Sequence, residues 1–284
     1  MQVPFTKMNS QGNDFVVIDN TGSLYQFDNK KIRSICSRDI IGCDQLLLLN
    51  IKDSNNVACE IFNQDGSSAQ QCGNGMRAIM LFLNRKYNFF DSKIFVNLVP
   101  YSVSFINEKE IKVSMGNAVF LENIPNDVSE NISINIKDYY YEVLVSSGTL
   151  PWSFSYSHLS IGNSHCIVFS KNSFDNKEKI SDILNSLYDG SVNISFVLNT
   201  EEFVKAHDTS IILRVNERGA GWTKSCGSGA TATGAFISRF MLLAENGSKK
   251  INELDVSQEG GKLKIQNIFM TDLDGKYSPE LYLS

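Results

Sequence analysis

Hydrophobic and polar positions along the 284-residue chain fall into two similar series of elements. In the first, Gly12-Asn13 turns the chain into the apolar stretch Phe15-Val16-Val17-Ile18, and Asp28 stands as N-cap to a helix over 29–37. An apolar strand follows at 45–49, then a strand at Glu60–Asn63 and a polar loop that ends at Cys72. The spacing over 74–86 is helical, with Met76, Ile79, Met80 and Leu83 on one face. Strands at 102–106 and 110–115 flank a turn at Asn107-Glu108-Lys109. The second series opens on Gly162-Asn163 before Cys166–Phe169, with Asp175 as N-cap to a helix over 176–188. Strands at 194–198 and Leu213–Glu217 lead to Cys226, a helix over 228–245 and paired strands at 252–257 and 262–268 around Gly260-Gly261.

The order of these anchors is the same in both series. Gly-Asn recurs after 150 residues, Phe-Asp-Asn-Lys (27–30 and 174–177) after 147, and the cysteine followed by a glycine-rich turn after 154. With the strand that precedes each cysteine (Glu60–Asn63 and Leu213–Glu217), four matches in register make an internal duplication the best explanation. The helix over 228–245 is small or apolar on most faces and belongs inside a domain, wrapped by strands. The expected fold is α+β: two similar domains, each a strand-rich, barrel-like layer around a central helix, with the active site in the cleft between them. The domains are expected at 1–122 and 123–271, with 272–284 a candidate to pack on the first. Pro125 and Asn126 mark a break within the seam at 117–130.

Composition narrows the classes of function. A net charge of −5 and the lack of a long Lys/Arg run argue against nucleic acid as a partner. The first residues lack the basic start and apolar core of a signal peptide, and no apolar run reaches the length of a bilayer span. A cytoplasmic protein without membrane partners is the expectation. Six cysteines (36, 43, 59, 72, 166 and 226) are too dispersed for a disulfide framework, and none forms a zinc-like cluster, so no metal site is expected. Cys36, Cys43, Cys59 and Cys166 read as small buried hydrophobes.

Cys72 and Cys226 differ from the other four because a glycine-rich turn and a helix start follow each of them. Exposed backbone N–H groups and the helix dipole lower a thiol pKa there, which makes both candidates for proton transfer. Two converging helix N-termini would hold a carboxylate and stabilise the carbanion formed when its α-proton leaves. Two thiols could then serve as base and acid on opposite faces of one carbon. Asn13, Asn63, Asn163 and Asn193 offer hydrogen bonds to a zwitterion, and Glu217-Arg218 offers both charges. Singly, these residues read as turn formers and a solvated pair. Together they occupy the duplicated anchors.

These stretches resemble the diaminopimelate epimerase family: GNDFVVID (12–19), DQLL (44–47), IFNQDGSSAQQCGNGMR (61–77), GNSHCIV (162–168), NISFV (193–197) and ERGAGWTKSCGSGA (217–230). The resemblance implies a cofactor-independent isomerase that interconverts LL- and meso-2,6-diaminopimelate in lysine and peptidoglycan precursor synthesis. It implies that Cys72 and Cys226 are the catalytic thiols, with His165 and Glu217 supporting them. It places Asn13, Gln45, Asn63, Asn163, Asn193, Glu217 and Arg218 against the substrate, with Gly73, Asn74, Gly227 and Ser228 holding the reacting carboxylate. The family commonly forms homodimers. Departures stand at Asn9, Gln11, Cys43, Ser164, Trp222 and the final segment, and none removes a matched thiol, asparagine or charged residue.

Three other readings compete with this one. An amino-acid or proline-type racemase would keep the mechanism and change the substrate. A redox switch or binding protein would use the cysteine pair as a regulatory disulfide. A phosphate-binding module is disfavoured, because neither loop supplies a lysine or the dinucleotide-fold spacing.

Overall fold

The computed structural model describes residues 2–69, 72–121, 129–146, 150–201, 209–244, 251–271 and 277–284. The chain divides into two compact units, Met1–Met115 with Tyr282–Ser284, and Gly116–Leu281. Pro125 and Asn126 lie outside the described residues. No helix among the described residues is long and apolar enough to cross a membrane.

In the first unit, β1 (Thr6–Ser10) and β2 (Asn13–Asp19) form an antiparallel hairpin. Its turn needs positive φ at Gln11 and Gly12. Helix α1 (Asn29–Cys36) carries the chain to β3 (Gln45–Asp53), which runs parallel to β2. β4 (Asn56–Asn63) pairs antiparallel with β3 and leads into α2 (Gly73–Tyr87). β5 (Asp91–Val96) returns parallel to β4, and β6 (Val99–Asn107) and β7 (Glu110–Asn117) complete the sheet.

Strands β2 and β3 are apolar on both faces because both faces are covered. Val16, Ile18, Leu46 and Leu48 pack with Ile32, Cys36 and Cys43 on the α1 side. Helix α2 packs against β1, β2, β5 and β6, and the Met76, Ile79, Met80 and Leu83 face is fully buried as expected. Each such side chain contributes roughly 1.5–3 kcal/mol on burial. Asp28 caps α1 through Oδ1, which accepts the Lys31 N–H at 2.8 Å.

The second unit repeats this plan after an added antiparallel layer. β8 (Val119–Phe120) pairs with β11 (Trp152–Ser160), and β9 (Ile132–Ile136) and β10 (Tyr141–Val145) extend the sheet beside it. β11 and β12 (Ser164–Val168) form the hairpin, and α3 (Lys177–Leu187) leads to β13 (Asn193–Val197), parallel to β12. β14 (Ser210–Glu217) pairs antiparallel with β13 and β15 (Gly221–Thr223), and α4 (Gly227–Ala244) follows. β16 (Glu253–Gln258) runs parallel to β14, and β17 (Gly261–Thr271) pairs antiparallel with β16 before β18 (Tyr277–Leu283).

The composition of α4 has a packing cause. A Cβ on Gly234 would stand 2.7 Å from Ile265 Cγ2, so this helix lies closer to β17 than any side chain at that position would allow. Thr231 and Thr233 turn their buried hydroxyls onto the carbonyls of Gly227 and Gly229, both at 2.8 Å, which lets polar residues sit inside a dry core.

One cap differs from expectation. Asp175 lies within a short 3-10 helix, Ser173–Asn176, so α3 starts from Asn176, which makes no side-chain capping bond. Asn172 adopts left-handed backbone at φ 56 and starts the turn early, which takes Asp175 out of the N-cap geometry. The strand expected at 45–49 also runs on to Asp53, because β4 pairs with its polar continuation as far as Asn56.

Candidate active site

Each unit places its glycine-flanked cysteine at the start of its central helix. Cys72 is the N-cap of α2 in extended conformation, and its Sγ accepts the Gly75 N–H at 3.2 Å. Its carbonyl accepts the Met76 N–H at 2.9 Å, as the first bond of the helix. In the second unit the Gly229 N–H points to Cys226 Sγ at 3.3 Å, and the Ala230 N–H to the Cys226 carbonyl at 3.0 Å. Both sulfurs therefore receive an amide that helix geometry leaves unpaired. Glycine suits this close approach. A Cβ on Gly75 would stand 3.3 Å from Cys72 Sγ, and one on Gly229 would stand 3.3 Å from Cys226 Sγ and 3.0 Å from Ser195 Oγ.

In the first unit Asn13, Gln45 and Asn63 stand at neighbouring ends of β2, β3 and β4, where Gln45 pairs with both Phe15 and Asn63. Gln45 Nε2 donates to Asn63 Oδ1 at 3.0 Å, and Asn63 Nδ2 donates to Ser67 Oγ at 3.0 Å. Gln45 Oε1 and Asn74 Oδ1 are buried acceptors with no hydrogen-bond partner among the described residues, suited to an incoming N–H donor. An ion-pair cluster fixes this edge of the sheet. Arg38 binds Asp14 through both terminal nitrogens (2.6 and 2.8 Å) and reaches Asp44 at 2.6 Å, while Asp14 and Asp44 exchange backbone N–H bonds. Burial alone would push the Asp14 carboxyl up, but bonds from Arg38, Asp44 and Lys7 hold it well below the usual range.

The second unit builds a continuous polar chain. His165 Nε2 meets Asn163 Oδ1 at 3.1 Å, Asn163 Nδ2 donates to Ser228 Oγ at 3.2 Å, and Ser228 Oγ lies 3.5 Å from Cys226 Sγ. Burial, with the nearby His158, lowers the His165 pKa to about 3, so the ring is neutral and donates from Nε2 to Asn163. Asn193 is used structurally: Oδ1 accepts the Arg218 N–H at 3.0 Å and Nδ2 donates to the Ser164 carbonyl at 3.1 Å. One Nδ2 hydrogen remains available to a ligand. Glu217 Oε1 accepts from Thr223 Oγ1 at 2.5 Å, and the Arg218 side chain is exposed. Burial pushes the Glu217 carboxyl up, against bonds from Thr223 and Cys226. Burial also pushes the Cys226 thiol well above its ordinary value and the Glu217 charge adds to this, while Ser228 and the Gly229 amide oppose it.

Two residues of this geometry escape the sequence reading. Gln258, at the end of β16, clamps the Cys226 backbone: Oε1 accepts the Cys226 N–H at 2.9 Å and Nε2 donates to the Cys226 carbonyl at 3.3 Å. The strand registers align Asn63 with Glu217 and Val96 with Gln258, so the first unit has an aliphatic side chain where the second has the clamp. Arg77, within the first cysteine motif, is held by Ser10 Oγ at 2.6 Å. Burial lowers its pKa to about 10, and interaction with Cys72 opposes that shift. Its cation thus acts on the first thiol. Spacing along α2 is a local signal for Arg77, whereas no local signal points to Gln258.

The family model described as diaminopimelate epimerase matches residues 5–121. A diaminopimelate epimerase of Blochmanniella floridana is 32% identical over 256 residues, covering 87% of each chain. One of Vesicomyosocius okutanii is 33% identical over 258 residues with the same coverage. Among solved structures, a Bacillus anthracis phenazine biosynthesis protein of the PhzF family shares the fold with a TM-score of 0.62 at 15% identity, covering 99% of this chain and 93% of its own. From the length and level of this likeness, the chain belongs to the diaminopimelate epimerase family.

Proposed function

We propose that this protein interconverts LL- and meso-2,6-diaminopimelate by transferring the α-proton between Cys72 and Cys226, one thiol from each unit. The observation that carries the reading is that both thiols sit at the start of a buried central helix and accept its third amide. A thiolate removes the α-proton, negative charge develops toward the carboxylate, and the other thiol returns a proton on the opposite face. Amides at Gly73-Asn74 and Gly227-Ser228 hold that carboxylate and stabilise the charge as it grows. Cys226, buried beside Glu217, rests as the thiol, which gives it the acid role in the resting protein. Asn13, Gln45, Asn63, Asn163, Asn193, Glu217 and Arg218 recognise the substrate's polar groups, and His165 positions Asn163. The two side-chain thiols supply the proton chemistry, so the reading needs neither pyridoxal phosphate nor a metal. A cytoplasmic homodimer serving lysine and peptidoglycan precursor synthesis belongs to the same proposal.

The test is to supply LL-diaminopimelate to the purified protein without added cofactor and separate the stereoisomers by chiral chromatography. Appearance of the meso isomer is expected. Conversion of proline or another amino acid, with diaminopimelate untouched, would replace this reading with the racemase alternative.

A further inference from the structure

A second pair of thiols lies in the first unit, away from the helix start. Cys36 is the last residue of α1 and Cys43 lies just before β3, and their sulfurs are 3.5 Å apart. Both are free and buried, enclosed by Val16, Ile18, Ile32, Leu46 and Leu48. The backbone already holds the two residues together, since the Cys43 N–H donates to the Cys36 carbonyl at 3.2 Å and the Gly42 N–H to Ile35 at 3.1 Å. A disulfide needs about 2.05 Å between sulfurs, so side-chain rotation with a small shift closes the gap. Two cations flank the pair: Lys7 Nζ donates to the Gly42 carbonyl, and the Arg38 side chain lies over Gly42, where a Cβ would stand 2.9 Å from Arg38 Cδ. The bond from the Cys43 thiol lowers the Cys36 pKa; burial works against this, and the charges of Arg38 and Lys7 add to it.

We propose that Cys36 and Cys43 form an oxidation site, a dithiol that a hydroperoxide converts to a disulfide, independent of the reaction assigned to Cys72 and Cys226. The Cys36 thiolate attacks the peroxide, breaking the O–O bond to give Cys36 sulfenic acid and releasing hydroxide or alkoxide, which takes up a proton. Cys43 sulfur then attacks Cys36 sulfur, the S–O bond breaks, and water leaves with the Cys43 proton. In sum two thiols lose two hydrogens, and the peroxide becomes water and, for an organic peroxide, its alcohol. The pairing lets the first oxidation be captured inside the core before a second can reach it. The linked segment carries Arg38, which ties Asp14 and Asp44 beside Asn13 and Gln45, so one short segment joins the site to the strand ends of the candidate active site.

The experiment treats the folded, full chain with hydrogen peroxide, alkylates remaining thiols in denaturant and digests with trypsin without reductant. Cleavage after Arg33, Arg38 and Lys52 puts Cys36 on 34–38 and Cys43 on 39–52, so the two peptides stay joined only by the disulfide. The expected product is that joined pair, two hydrogens lighter than the sum, and split by dithiothreitol. Recovery of the two peptides separately, alkylated or over-oxidised, while Cys72 or Cys226 has reacted, would overturn the proposal. A bond from either residue to another cysteine would overturn it equally. The measurement needs no variant. In a C72A/C226A background the oxidised chain is expected to melt above the reduced one, and an unchanged or lower midpoint contradicts a stabilising crosslink.

Discussion

The two cysteine helices are built on one plan and set in different surroundings. Cys72 is half-buried beside the Arg77 cation, with Asn63 on the neighbouring strand end. Cys226 is 4% exposed, beside the Glu217 carboxylate that the registers align with Asn63, and Gln258 grips its backbone. A cation favours thiolate, whereas burial and an adjacent carboxylate favour thiol. Duplication therefore supplied two equivalent positions, and divergence around them biases the second toward thiol, while the first has a cation rather than a carboxylate near it.

The largest effect expected is from the thiols themselves. C72A and C226A should each lower kcat/KM by about 10²–10⁴-fold, the range for a positioned acid or base. Retained secondary structure by circular dichroism would show that chemistry rather than folding is lost. Next is the clamp. Gln258→Leu removes both bonds to the Cys226 backbone and should lower kcat/KM about 30-fold, as expected for two hydrogen bonds of roughly 1 kcal/mol each. The aligned Val96→Leu change should leave activity near the starting value, and equal losses from both would break the comparison.

The third prediction concerns charge. Glu217→Gln removes one of the influences raising the Cys226 thiol, so alkylation of Cys226, followed by peptide mapping in a C72A background, should rise at lower pH. An unshifted profile would mean that burial alone sets this thiol.

A fourth, smaller effect is on stability in acid. His158 and His165 have pKa values lowered by burial to about 4 and about 3, against 6.5 when unfolded. The unfolded chain thus binds more protons through that interval, and stability falls as pH drops from about 6.5 toward 3. Denaturant midpoints measured across this range should fall, and less steeply in His158→Gln. An identical slope in that variant contradicts the assignment.

Much of this was legible because it is local. The glycine-flanked cysteines, the Asp28 cap and the Met76, Ile79, Met80, Leu83 face are each fixed by residues a few positions apart, and the duplication repeats them. Asp175 departs from the expected N-cap because the left-handed turn at Asn172 starts a 3-10 helix that nothing in the apolar pattern signals. Gln258 stayed hidden because it lies 32 residues from Cys226 on another strand and matters only through the pairing of β14 with β16. Likewise Asn63 and Glu217 become counterparts only once the strand registers are known. Of the four cysteines read as buried filler, all are buried, but the contact between Cys36 and Cys43 needed the fold of the loop between them.

The most direct test of the two-thiol account follows hydrogen at the α-carbon. Diaminopimelate is incubated with the protein in heavy water and analysed by mass spectrometry and proton NMR, alongside C72A and C226A. The account predicts deuterium at the α-carbon together with isomer interconversion in the unaltered chain, and loss of interconversion in each variant. Undiminished interconversion in either variant, or isomerisation without any α-deuterium, would contradict it.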